Sequence, residues 1–101
     1  MKKRFIICLN ESTPEQEKVF IEYIKSQKLG WWHWLTNIWL ISDRNGKLDC
    51  EIIRDKAMEV FAQEYVIVIE LSSNHDTWAG YGPSSDKKNM FKWLEENWEK
   101  Q

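Results

Sequence analysis

Residues 31–42 read Trp-Trp-His-Trp-Leu-Thr-Asn-Ile-Trp-Leu-Ile-Ser and hold four of the chain's seven tryptophans. A stretch this aromatic and branched suits a pleated surface rather than a solvated helix. Twelve residues is long for one strand, so a hairpin turning at Thr36-Asn37 is preferred over a single long strand. Thr-Asn is a weaker hairpin turn than Asn-Gly. With a two-residue turn, Trp34 pairs with Trp39 and Trp32 with Ile41, and these four share a face. Trp31, His33, Leu35, Ile38 and Leu40 then share the other. Both faces are largely apolar, so the sheet needs a cover on each side. Helices are expected on one, and a partner or the C-terminal segment on the other.

The flanking segments supply the rest of a small α+β chain. Residues 3–9 are apolar and branched and predict a buried strand. Thr13, Pro14 and Gln16 form a helix start: a cap, a first-turn proline and the far end of a capping box. Phe20, Tyr23 and Ile24 follow at helical spacing, and Gly30 is placed to end that helix. Asp43-Arg44-Asn45-Gly46 predicts a turn. Asp49 can cap a second helix with Ile53, Ala57, Val60 and Phe61 inward. Residues 65–71 form the strongest strand signal, and a polar loop runs from Ser72 to Thr77. Ser84 or Ser85 can cap a last helix carrying Phe91, Leu94 and Trp98. Trp93 and Trp98 lie five apart and are not expected to share one face of an α-helix. The order β-α-β-β-α-β plus a helix predicts a ferredoxin-like antiparallel sheet. The alternative, with one long central strand, is a small three-stranded α/β sheet.

Composition narrows the function. With 101 residues the expectation is one domain, spanning 1–101. Lys plus Arg is 14 against 16 for Asp plus Glu, a net charge of −2. That disfavours a coat for duplex nucleic acid, which needs a basic surface. The opening Lys2-Lys3-Arg4 imitates a signal-peptide head, but its apolar run stops at Asn10, and no stretch reaches the ~20 residues of a membrane helix. A cytoplasmic chain without membrane contact is expected. Cys8 and Cys50 are isolated and predict buried free thiols rather than a zinc site. No metal or other cofactor is expected.

Three places carry chemistry. His33 reads either as a packed, hydrogen-bonded histidine or as a ligand contact; as a general base it lacks a sequence neighbour to orient it. Asn74-His75-Asp76 lies in the loop after the strongest strand, where sites are often built, and also reads as solvated loop. Gly80-Tyr81-Gly82-Pro83-Ser84-Ser85 combines backbone that a ligand can approach with a helix start whose amides face an anion. Trp78 and Tyr81 add flat surfaces for a base to stack on. The segment is neither a dinucleotide fingerprint nor a P-loop, and glycine and proline before a helix are also plain turn chemistry. No catalytic triad or diagnostic carboxylate pair stands out.

Leu9-Asn10, Gly30 through Leu35, Trp39-Leu40-Ile41, Ile53-Arg54-Asp55 and Trp78-Ala79-Gly80-Tyr81 together resemble small SinR-like proteins. These are similar to the ferredoxin-like nuclease subunit of CRISPR adaptation and to VapD-type proteins. The resemblance spans nearly the whole chain and implies the fold. Where the nuclease relatives place an acidic residue near the end of the first strand, this chain has Cys8. A thiol is a poor magnesium ligand, so the resemblance argues against a metal-dependent nuclease. The expectation is a non-enzymatic, oligomeric protein, a homodimer or larger. It would bind a small anionic nucleotide or nucleotide-derived messenger, as a sequestering protein of phage or mobile-element type does. Its candidate ligand-binding residues are Trp78, Gly80, Tyr81, Gly82, Ser84 and Ser85, with His33, Asn10 and His75. The alternatives are a ribonuclease or toxin using His33 or His75, and a module that inhibits a protein partner.

Overall fold

A computed structural model describes residues 2–62, 64–71 and 89–99. The elements are β1 (Lys3–Leu9), α1 (Pro14–Ser26), β2 (Gly30–Leu35), β3 (Ile38–Asp43), α2 (Cys50–Val60), β4 (Val66–Leu71) and α3 (Met90–Trp93). From Leu94 to Glu99, α3 runs on as a π-helix. The strands form one antiparallel sheet in the order β2-β3-β1-β4. Residues 31–42 do break at Thr36-Asn37 into two strands, which removes the three-stranded alternative.

Local chemistry explains the helix limits. Thr13 accepts from the Gln16 amide (3.2 Å) while Gln16 Oε1 accepts from the Thr13 amide (2.9 Å), a complete capping box. Asp49 Oδ1 accepts from the Ile52 amide at 2.8 Å and starts α2. The end of α1 departs from expectation. The left-handed residue is Lys28 (φ 57°), not Gly30. Lys28 N–H donates to Lys25 O and Leu29 N–H to Ile24 O, the two bonds of a Schellman close. Gly30 instead opens β2. A Cβ there would meet Ser42 Cβ at 3.4 Å and the Trp93 ring at 3.6 Å.

Both long helices lie on one face of the sheet. Phe20 and Ile24 from α1 and Ile53 and Ala57 from α2 pack with Phe61 on Phe5, Ile7, Leu9, Trp39 and Ile41. Trp39 is fully buried, with the Phe20 ring edge-on to it at 5.1 Å. The turn after β3 is held by Asp43, whose carboxylate accepts from the Asn45 amide (3.2 Å) and the Leu48 amide (2.9 Å). Gly46 there takes the φ of 64° that the turn requires.

The hairpin register corrects the expectation. Leu35 pairs with Ile38, as the two-residue turn requires, but Trp32 pairs with Leu40 and Trp31 with Ile41. A bulge between Trp32 and Leu35 accounts for the shift, because it places two residues of β2 against one of β3. One extra residue reverses every face upstream of it. Trp32 therefore joins Leu40 on the second face of the sheet, while Trp31 joins Trp39 on the helix face (ring centroids 6.1 Å).

Candidate functional site

The bulge positions His33. Its ring lies parallel to the Trp39 indole, with centroids 3.7 Å apart and planes 6° apart. Nδ1 is 3.0 Å from the Ile38 carbonyl oxygen and Nε2 is 2.7 Å from Glu17 Oε1. Both partners only accept, so both contacts are hydrogen bonds at once only when the ring donates from both nitrogens. The other Glu17 oxygen accepts from Ser12 Oγ at 3.1 Å. His33 thus ties the first turns of α1 to the hairpin, and its side chain is only 10% exposed. A ligand or substrate proton reaches either nitrogen only by displacing one of these partners.

Asn10 sits at the same end of the sheet, one residue past β1. Its Oδ1 accepts from the Tyr65 amide (2.7 Å), and its own amide donates to the Tyr65 carbonyl (3.4 Å). It extends the β1–β4 ladder by one position. The other candidate residues, Trp78, Gly80, Tyr81, Gly82, Ser84, Ser85 and His75, lie outside the described residues. Of the expected binding set, the described part holds His33 and Asn10, and each is committed to a structural partner.

The second face of the sheet has a cover over part of its area. Trp32, Leu94 and Trp98 are buried there, with Ile6, Leu40, Leu71 and Trp93 packed around them. Trp93 and Trp98 do share a side, with ring centroids 6.1 Å apart, contrary to the α-helical expectation. The π-helical stretch explains this, since its i→i+5 bonding aligns residues five apart. The Arg4 guanidinium lies 5.4 Å from the Trp98 ring centre. Lys2 Nζ donates to the Asn97 carbonyl, as Ser42 Oγ does at 3.4 Å. These contacts bring donors and positive charge to the carbonyl end of a helix. Burial, then the Arg4 and Arg44 charges, hold the Lys2 ammonium below its ordinary pKa. The Nε1 groups of Trp32 and Trp39 are buried and find no acceptor among the described residues.

Beyond that cover the face is open among the described residues. Cross-strand pairing sets Leu35, Ile38, Cys8 and Ile67 in one row. Leu35 is 50% exposed and Ile67 57%. In the next row Ile69 is 45% exposed beside Ile6, and Tyr65 at the foot of β4 is 83% exposed. An apolar strip thus crosses the sheet and ends on β4, an outermost strand among the described residues. The signal was present in the chain: in Val66-Ile67-Val68-Ile69 both alternating sets are apolar, so a single layer of helices leaves one set uncovered.

Among the described residues no helix is long and apolar enough to cross a membrane. Comparison with protein-family models, curated proteins and solved structures finds no match for this chain.

Proposed function

We propose that this chain is a non-enzymatic binding protein that works as a homo-oligomer and holds a nucleotide or nucleotide-derived messenger. The observation that carries the oligomer is the apolar strip from Leu35 to Ile67, with Ile69 and Tyr65 beside it. Contiguous exposed apolar surface marks interaction sites. The absence of catalysis at His33 is supported by its geometry, because both ring nitrogens and one ring face are committed to structure. The nucleotide rests on the sequence of residues 78–85, with their stacking aromatics, two glycines and helix-start serines.

The fold belongs to the same proposal. The order β-α-β-β-α-β, with β3 between the parallel pair β1 and β2 and β1 between the parallel pair β3 and β4, supports a ferredoxin-like plan. That plan in turn supports kinship with the SinR-like group. Native mass spectrometry of the gently purified protein tests the function. A dimer or larger species carrying a bound mass of several hundred daltons is expected, as is a rise in melting temperature with millimolar nucleotide. A monomer would refute the oligomer, and no nucleotide-dependent shift would refute the ligand.

A further inference from the structure

The two sheet edges differ in how they are defended. β2 is broken by the bulge at His33 and Trp34, a feature that twists an edge away from further pairing. Among the described residues β4 has none of the usual blocks. It pairs with β1 without a register break from Val66 to Leu71, contains no proline, and bears its one charge, Glu70, opposite Phe5 on the helix face. Its other face carries Ile67 and Ile69, both exposed.

Hydrogen-bond directions show which backbone groups of β4 are turned outward. Tyr65 exchanges both of its backbone groups with Asn10, so it points at the β1 side. Leu9 donates to Asn37 O, away from its β4 partner Val66. Direction alternates along an antiparallel strand. Ile67 and Ile69 therefore bond toward β1, and Val66, Val68 and Glu70 turn their N–H and C=O outward.

We propose that β4 pairs antiparallel with β4 of a second copy of this chain, with Val68 on the two-fold axis, so that the two sheets become one. The proposal rests on the oligomer reading above and names the surface that makes it. In this register Val68 meets the partner's Val68, and Val66 meets the partner's Glu70, which uses all the outward backbone groups. On the open face Ile67 meets the partner's Ile69, and Tyr65 meets the partner's Leu71. Every exposed apolar side chain of β4 gains an apolar neighbour. Charge separates this register from the neighbouring one centred on Ile67. Centring the pair on Ile67 instead sets Glu64 opposite the partner's Glu70 twice, and like charges directly opposite destabilise a ladder. The Val68-centred pair contains no such contact, which also makes the surface self-complementary as a two-fold interface requires. The apolar row from Leu35 to Ile67 then continues from one copy into the next.

The experiment is light scattering and native mass spectrometry of the full chain and three variants, each first checked for native circular dichroism. Wild type is expected to be a dimer. Ile67→Lys/Ile69→Lys sets like charges across the axis and yields monomer. Ile67→Lys/Ile69→Glu sets opposite charges across it and restores a dimer, which dissociates as salt is raised. Val68→Pro removes an outward N–H, leaves the β1 bonds in place, and yields monomer. If the Lys/Lys and proline variants both remain dimers, the edge is refuted while the oligomer reading stands. If the Lys/Glu variant is as monomeric as the Lys/Lys variant, the register is refuted. A monomeric wild type overturns both readings.

Discussion

His33→Ala separates a structural histidine from a ligand-binding one. The substitution deletes three contacts: the bond to the Ile38 carbonyl, the bond to Glu17, and the parallel stack on Trp39. The carbonyl bond contributes about 1 kcal/mol. A charge-assisted bond inside a protein exceeds that, but the Glu17 side chain is 24% exposed and keeps Ser12, so solvent reduces its share to about 1 kcal/mol. The ring stack adds about 0.5–1.5 kcal/mol. With the ring donating from both nitrogens the sum is about 2.5–3.5 kcal/mol, which lowers the melting temperature of a chain this size by roughly 10–28 °C. Urea unfolding followed by tryptophan fluorescence, at one protein concentration, reads the loss as a shift in midpoint with unchanged slope. Glu17→Gln costs about 1 kcal/mol alone and adds little to His33→Ala, a coupling that a double-mutant cycle isolates. A loss below about 0.5 kcal/mol for His33→Ala would refute the clamp, and the histidine would return to the list of ligand contacts.

Three further outcomes follow from the structure. Lys28→Gly relieves a left-handed lysine at the close of α1 and should stabilise by about 1 kcal/mol, read by the same urea titration. Trp98→Ala removes the buried indole between Trp93, Trp32 and Arg4; it should cost about 3–5 kcal/mol and increase binding of a hydrophobic dye as the second sheet face opens. Burial raises the Tyr23 phenol above its ordinary pKa of 10.0, with nearby Asp43 acting the same way and Lys56 opposing. A raised acid binds its proton more tightly in the native state, so this group's contribution is intact below pH 10 and declines as pH climbs through the raised value. Tyr23→Phe should therefore flatten the alkaline fall in stability relative to wild type, and parallel curves would refute the assignment.

Where the chain's own hydrogen-bonding chemistry is local, it was legible. The Thr13–Gln16 box, the Asp49 cap, the Asp43–Gly46 turn and the break at Thr36-Asn37 each involve partners within a few residues. Their free energies are decided before the rest of the chain arrives. The candidate site was legible as residue types, since His33 and Asn10 were singled out, and a packed, hydrogen-bonded ring was one of the two readings of His33, but the partners were not legible. Glu17 is sixteen residues from His33, and Tyr65 is fifty-five from Asn10. Nothing in local pattern points to either partner.

What the sequence alone determined is the set of elements and their order, because propensity, capping and periodicity act over one or two turns. Tertiary structure decided which faces those elements present. A bulge at His33-Trp34 trades one ladder position for a histidine seated on Trp39, and that single step sends Trp32 to the second face and Trp31 to the first. Packing of Trp93 with Trp98 over the sheet goes with a π-helical winding that no local propensity favours. Pairing register and helix winding are both set by long-range burial. Many registers are locally equivalent, and only the competition for apolar neighbours across the whole sheet separates them.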